Sequence, residues 1–225
     1  MTDQLLRVRI WDLPTRLFHL ALIVSVAGAW VCAQIGGNAM QWHFRFGYAV
    51  VGLLIFRIVW GVVGGRWSRF AHWIVAPAAL VRYLRGQPKA GERFEVGHSP
   101  AGVVSVLTLL GLLLVQVGSG LVADDDIANV GPLNRYVSGS VASVLTATHR
   151  LVGQWVLPAW IGLHIAAVMY YQWVKRRRLI GAMISGDQWA PPNTPPSADD
   201  PRQRWLAALI MAAVAAALTG LMSLL

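Results

Sequence analysis

The sequence predicts an all-α membrane protein whose chain crosses the bilayer five times. Three observations lead there. Of 225 residues, 56% are hydrophobic and 13% charged, against roughly 25% charged in soluble domains. The apolar residues gather in five runs, roughly 17–35, 43–64, 101–122, 149–173 and 205–225, each near the ~20 residues a spanning helix needs. The basic residues sort by loop. Arg7, Arg9 and Arg16 precede the first run; Arg66, Arg69, Arg82, Arg85, Lys89 and Arg93 separate the second from the third; Lys175, Arg176, Arg177, Arg178, Arg202 and Arg204 separate the fourth from the fifth. The remaining loops and the C-terminal end hold only Arg135, and fifteen against one is a strong positive-inside signal. The N-terminus is therefore expected on the cytoplasmic side and the C-terminus outside.

The first span opens after IWDLPTRLFHL, where Pro14 suits the first turn and Asp12 the cap. No small-residue cleavage site follows this run, so it reads as a retained span. It carries His19 near its cytoplasmic end. The second opens WHFRFGYAVVG, with His43 near its outer end. Segment 66–97, with Trp67, Phe70, Trp73, Tyr83 and many arginines, reads as amphipathic and lying along the inner membrane surface. The third span opens GHSPAG: Ser99 is the expected N-cap and Pro100 the first helical residue, which leaves His98 just outside at the inner interface. The acidic run Asp124, Asp125, Asp126 follows on the outer side. The fourth span, THRLVGQWVLPAWIGLHIAAVMYY, contains His149 and His164. The linker APPNTPPSADDP (190–201) reads as extended and poorly ordered. The fifth span has no ionisable group.

His149 and His164 are fifteen residues apart. In a regular helix that is roughly 22 Å of rise, with only about 60° between the two in azimuth. One face of one helix thus offers an imidazole near each side of the membrane, and an ionisable residue inside a span is by default a functional candidate. Topology sorts His43 and His149 to the outer level, and His19 and His164 to the inner level with His98 close by. Two neutral imidazoles at one level suit the two axial positions of a haem iron. Two stacked haems are therefore expected, one between His43 and His149 and one between His19 and His164. His19 and His164 are preferred over His98 because both lie within helices. His98 is a candidate for a hydrogen bond to haem or quinone and for proton exchange. Gly47, Gly102 and Gly153 each follow a histidine by four residues, leaving room on the same face for a flat macrocycle or a close helix contact. Arg57 lies about 21 Å deeper than His43 and about 40° away in azimuth. It is a candidate partner for a haem propionate, as are Arg45 and Arg150 at the outer level.

The composition also excludes. A single cysteine, Cys32, cannot form an internal disulfide, an iron–sulfur cluster or a covalent haem attachment, so any haem is held non-covalently. The net charge of +9 flanks apolar runs, so the lipid surface explains it better than nucleic acid does. No Gly-x-Gly-x-x-Gly follows a strand-like run, which argues against a nicotinamide or flavin site.

RLFH (16–19), HFRFGYAVVGLLIFRIVWG (43–61), GHSPAG (97–102), Thr148–His149, GLHIAAVMYY (162–171) and the ending LIGAMISG together resemble the bacterial cytochrome b561 family, which includes b-type subunits of nickel–iron hydrogenases. The resemblance covers about residues 8–187. It implies a four-helix transmembrane bundle over 1–187 with two bis-histidine b haems, His19 with His164 on the cytoplasmic side and His43 with His149 on the periplasmic side. It implies the bacterial inner membrane and electron transfer between the quinone pool and a redox partner, such as a periplasmic c-type cytochrome, a dehydrogenase or a hydrogenase. The linker 188–204 and the helix 205–225 depart from the usual four-helix pattern and are candidates for docking a partner subunit. The acidic run is a candidate dock for a basic c-type cytochrome. Two other readings stand beside this one. A superoxide:quinone oxidoreductase, as some members are, would need a positive path to the outer haem, for which Arg135, Arg45 and Arg150 are candidates and Asp124 to Asp126 are contrary. A non-redox anchor or metal transporter would use the histidines as transition-metal ligands, although the five runs hold no carboxylate.

Overall fold

The computed structural model describes residues 5–73, 76–87, 89, 94 and 96–224. Arg93, other parts of segment 66–97 and Leu225 lie outside these described residues. In chain order the elements are β1 (Leu6–Arg9), α1 (Leu13–Ile35), α2 (Met40–Val63), α3 (Pro77–Leu84), α4 (Pro100–Gly120), α5 (Gly139–Leu151), a π turn (Val152–Val156), α6 (Leu157–Trp173), α7 (Leu179–Ser185), β2 (Asp187–Ala190) and α8 (Pro201–Leu224). Five stretches are long and apolar enough to cross a membrane: Leu13–Ile35, Gly37–Val63, Pro100–Gly120, Gly139–Trp173 and Pro201–Leu224. On α1, Leu17, Leu20, Ile23 and Val24 are each more than half exposed. Such a surface suits lipid tails rather than water.

The fourth span departs from the sequence reading twice. It begins at Gly139, not near His149, because Ser138 caps it and its hydroxyls bond within the helix. Thr146 Oγ1 donates to Ala142 O at 2.8 Å and Thr148 Oγ1 to Val144 O at 2.9 Å. Polar residues that precede the apolar run are thereby satisfied in a helix. The span also widens to a π turn at Val152–Val156, where Leu157 N bonds Val152 O. Pro158 follows; it lacks an N–H, and its ring would crowd the carbonyl of Gln154 in a regular α-turn. A wider turn rotates less per residue, so the azimuth counted between His149 and His164 on an unbroken α-helix does not carry over.

By mutual proximity the residues form two compact units. The first comprises Met1–Phe18, Arg57–Thr108 and His164–Leu209. Here β1 and β2 pair antiparallel, Leu6 opposite Ala190 through Arg9 opposite Asp187. The apolar alternation in Leu6-Arg7-Val8-Arg9 suits this ribbon, with Val8 buried against Ile10, Trp11, Val96, Ala182 and Ala190. The turn from α7 into β2 needs Gly186, whose φ is 88° and whose carbonyl receives both Ile10 N and Trp11 N, at 2.9 and 3.0 Å. A buried carboxylate organises the start of α1. Asp12 accepts from Thr15 N (2.8 Å), Trp60 Nε1 (3.2 Å) and Ser68 Oγ (2.6 Å).

The linker is not poorly ordered. Ala190, Thr194 and Ser197 are buried. Ser197 donates from its amide to Arg9 O at 2.7 Å and from its hydroxyl to Ile10 O at 2.8 Å, and Trp67 Nε1 donates to Pro195 O at 2.9 Å. Prolines need no backbone acceptor, so an extended proline-rich segment lies against the N-terminal strand without orphaning donors.

The second unit comprises His19–Phe56, Leu109–Leu163 and Ile210–Leu225. Its core is Val50, Leu54, Leu113, Val152 and Leu157, with Leu22, Val26 and Ile161 packed on it. The loop after α4 folds back on itself through Gly131 N to Ala123 O (2.7 Å) and Leu133 N to Leu121 O (2.8 Å), and Asp124 N bonds Thr146 Oγ1 (2.9 Å) on α5.

Candidate functional site

α2 places His43 in its first turn, and α5 carries His149 near its end. Their imidazole centroids are 6.0 Å apart and their planes cross at 89°. Two metal–imidazole bonds of about 2 Å each, plus the ring radii, come to about the same separation. His43 Nδ1 lies 2.9 Å from Ala29 O, and His149 Nδ1 lies 2.9 Å from Gln116 O. A carbonyl only accepts, so each Nδ1 carries the proton and each Nε2 keeps its lone pair. Metal-binding histidines are held in this way, and the bond raises the basicity of the other nitrogen. Among the described residues no three His, Cys, Asp or Glu side chains converge as a metal site. Two imidazoles held in this way would suit an iron whose other positions were filled by a macrocycle, and a Cβ at Gly47 would meet nothing within 4 Å.

Two residues absent from the sequence reading shape this pair. Gly120 on α4 lies against the His149 imidazole: a Cβ there would sit 2.6 Å from Cε1. Gln116, one turn earlier, offers its carbonyl to Nδ1 and its side-chain amide to His149 Nε2, at 3.3 Å. Gly153 in turn makes room for Gln116, since its Cβ would lie 2.6 Å from the amide nitrogen. Gln116 and Gly120 thus interlock with His149 and Gly153. A glutamine in an otherwise apolar span was the available signal. Arg45 and Arg150 are exposed, and Arg45 stacks on Trp42 with 4.7 Å to the ring centroid.

His19 belongs to the second unit and His164 to the first, and both are half-buried. His164 Nδ1 lies 3.5 Å from Ser105 Oγ. His98 is gripped between Trp11 and Trp73, each 4.6 Å away by ring centroids and edge-on at 63° and 72°. Arg57 is 3% exposed. Its guanidinium lies 4.7 Å from the centroids of both Phe70 and Trp73, and Nη2 donates to Ser68 O at 3.0 Å. The carboxylate of Asp12 is its anionic neighbour, and Nη1 has no hydrogen-bond partner among the described residues. A buried guanidinium with a spare donor fits a further anion, the role a haem propionate would fill.

The acidic run is largely spent on its own loop. The Asn129 side chain, then the amides of Asn129, Ala128 and Ile127, bond the Asp125 carboxylate and hold its pKa well below the usual range. Asp124 Oδ1 accepts Asp126 N at 2.9 Å, with Asp126 in the left-handed region at φ 59°. The carboxylates of Asp124 and Asp125 are thus engaged within the loop, while Asp126 is exposed.

A family model described as prokaryotic cytochrome b561 matches residues 10–186. A probable Ni/Fe-hydrogenase B-type cytochrome subunit from Rhodobacter capsulatus is 24% identical over 216 residues, covering 80% of each chain. The family match ends at Gly186, so β2, the linker and α8 lie beyond it. With five helices able to cross a membrane and a match over most of its length, the chain belongs to the prokaryotic cytochrome b561 family and is a multi-pass membrane b-type cytochrome of electron transfer.

Proposed function

We propose that the protein is a dihaem cytochrome that carries electrons across the bacterial inner membrane between the quinone pool and a redox partner subunit. The observation that carries this reading is the His43–His149 pair, with facing imidazoles and both Nδ1 protons committed to carbonyls. His43 and His149 hold the outer haem, and His19 and His164 the inner one. When bound, each haem supplies a one-electron couple between ferric and ferrous iron.

The chain supplies everything around that couple. Ala29 and Gln116 orient the outer ligands and fix their tautomer. Arg57 places a buried positive charge at the inner level, which favours the electron-rich state and pairs with a propionate. His98, between Trp11 and Trp73, is the group for proton exchange with quinone. The basic loops set the N-terminus on the cytoplasmic side. The similarity to the probable Ni/Fe-hydrogenase cytochrome subunit of Rhodobacter capsulatus supports a hydrogenase-type partner.

The test is quinol oxidation in liposomes containing the purified chain. Added quinol should reduce the haems and raise their α-band, and His43→Ala should block electron passage to an acceptor on the other side. Quinol that leaves both haems oxidised would refute the quinone assignment.

A further inference from the structure

We infer that the segment Asp187–Arg204 is an intramolecular strap that positions the haem ligand His19, with Asp199 as its central positioning residue. This rests on the proposed assignment of His19 as a ligand. All of the strap lies beyond the family-matched region.

The start of α1 has free amides that need acceptors. Two carboxylates from separate parts of the chain supply them. Asp12 Oδ1 takes Thr15 N at 2.8 Å, and Asp199 Oδ1 takes Leu13 N at 3.0 Å. Both anions also sit at the positive end of the helix dipole. Asp199 is itself held from two directions: Arg9 Nη1 lies 2.6 Å from Oδ2, and Arg204, in the first turn of α8, gives bonds of 3.1 and 3.2 Å. Its side chain is only 7% exposed. Burial pushes the carboxyl up, but the bonds from Arg204 and the Leu13 amide and the charges of Arg204 and Arg9 outweigh it and hold the pKa down. Two caps fix the axial position and rotation of a helix start. His19 follows Leu13 by six residues in the same helix, less than two turns on.

The strap also backs the loop that carries Arg57's partner. A Cβ at Gly65 would meet Asp12 Oδ2 at 2.5 Å, Ser197 Oγ at 3.1 Å and Ala198 O at 3.2 Å. Three residues on, Ser68 donates its hydroxyl to Asp12 and accepts from Arg57 Nη2 at its carbonyl. Cap, strap and Arg57 loop are therefore one bonded assembly. In the linker that reads as a partner-docking extension, Ser197 and Asp199 bond the chain's own N-terminus.

The experiment uses the full haem-loaded chain and its Asp199→Ala, Asp199→Glu and Ser197→Ala variants. Haem loss to an acceptor protein, redox titration and low-temperature EPR report on the two haems separately, and His43→Ala identifies the inner signals. Asp199→Ala should release the inner haem on the order of tenfold faster and move its EPR line and potential, while the outer haem keeps both. Asp199→Glu should restore most of the wild-type signal. Ser197→Ala removes only one hydroxyl and should give the same selective shift at smaller size, which keeps the test available if Asp199→Ala fails to fold. Two haems in the wild type with no change in the variants, or with equal change at both haems, would overturn the strap. A wild-type chain with no haem at His19 would overturn the ligand assignment and the strap with it.

Discussion

Replacing Gly120 with alanine perturbs the ligand pair with little else touched. The added Cβ would lie 2.6 Å from His149 Cε1 and 2.9 Å from Nδ1, where ordinary contact starts at 3.4 Å. The ring must therefore move about 0.8 Å, the difference between 3.4 and 2.6 Å. It is not free to do so, because Nδ1 donates to the Gln116 carbonyl at 2.9 Å, one turn earlier on the same helix. Ligand constellations tolerate about 0.5 Å of displacement, so the shift should weaken outer haem binding about 10–100-fold, or about 1.4–2.8 kcal/mol. The fold should hold, since alanine is the better helix former. The assay is titration of haem-free protein with haemin, followed in the Soret band. Gly111→Ala is the internal control: it lies on the same helix, and its Cβ would meet nothing within 4 Å. If Gly120→Ala binds two haems as tightly as Gly111→Ala, the steric reasoning about His149 is wrong.

Ligand planes crossing at 89° should give the outer haem a strongly anisotropic low-spin ferric EPR signal; an ordinary rhombic signal from both haems would contradict the pairing. Arg57→Leu removes a buried cation and should lower the inner haem's potential by on the order of 60 mV if the one-electron equilibrium moves tenfold. Arg57→Lys should shift it far less, and potentiometric titration decides. Asp125 has a depressed folded pKa, so its contribution to stability is present above the unfolded value of about 3.9 and is lost as pH falls below it. Thermal unfolding of the wild type should weaken more between pH 7 and pH 3 than that of Asp125→Asn, and parallel curves would contradict this.

The five spans were legible because hydropathy and loop charge are long-range averages that survive local irregularity. The pairing of His43 with His149 needed only helix levels, which the span order supplies. What escaped depends on single contacts. Residues 139–148 fall outside the apolar run because the sequence does not show that Thr146 and Thr148 bond within a helix. The π turn goes with Pro158, which the sequence shows, but how far the turn shifts the azimuth between His149 and His164 is not legible in the sequence. β1 was masked by its four-residue length, although Leu6 and Val8 alternate with Arg7 and Arg9. The linker looked disordered by composition, yet Ser197 and Asp199 tie it down, and neither pattern nor periodicity reports such long-range bonds. Gln116 and Gly120 were hidden because a glycine's role is set by what lies opposite it.

The most direct measurement is haem per chain by pyridine haemochrome assay on the purified protein, repeated for His43→Ala and His164→Ala. The account predicts two b haems in the wild type and one in each variant. A single haem in the wild type would remove one of the two sites, and a folded, haem-free chain would contradict the assignment of these histidines altogether.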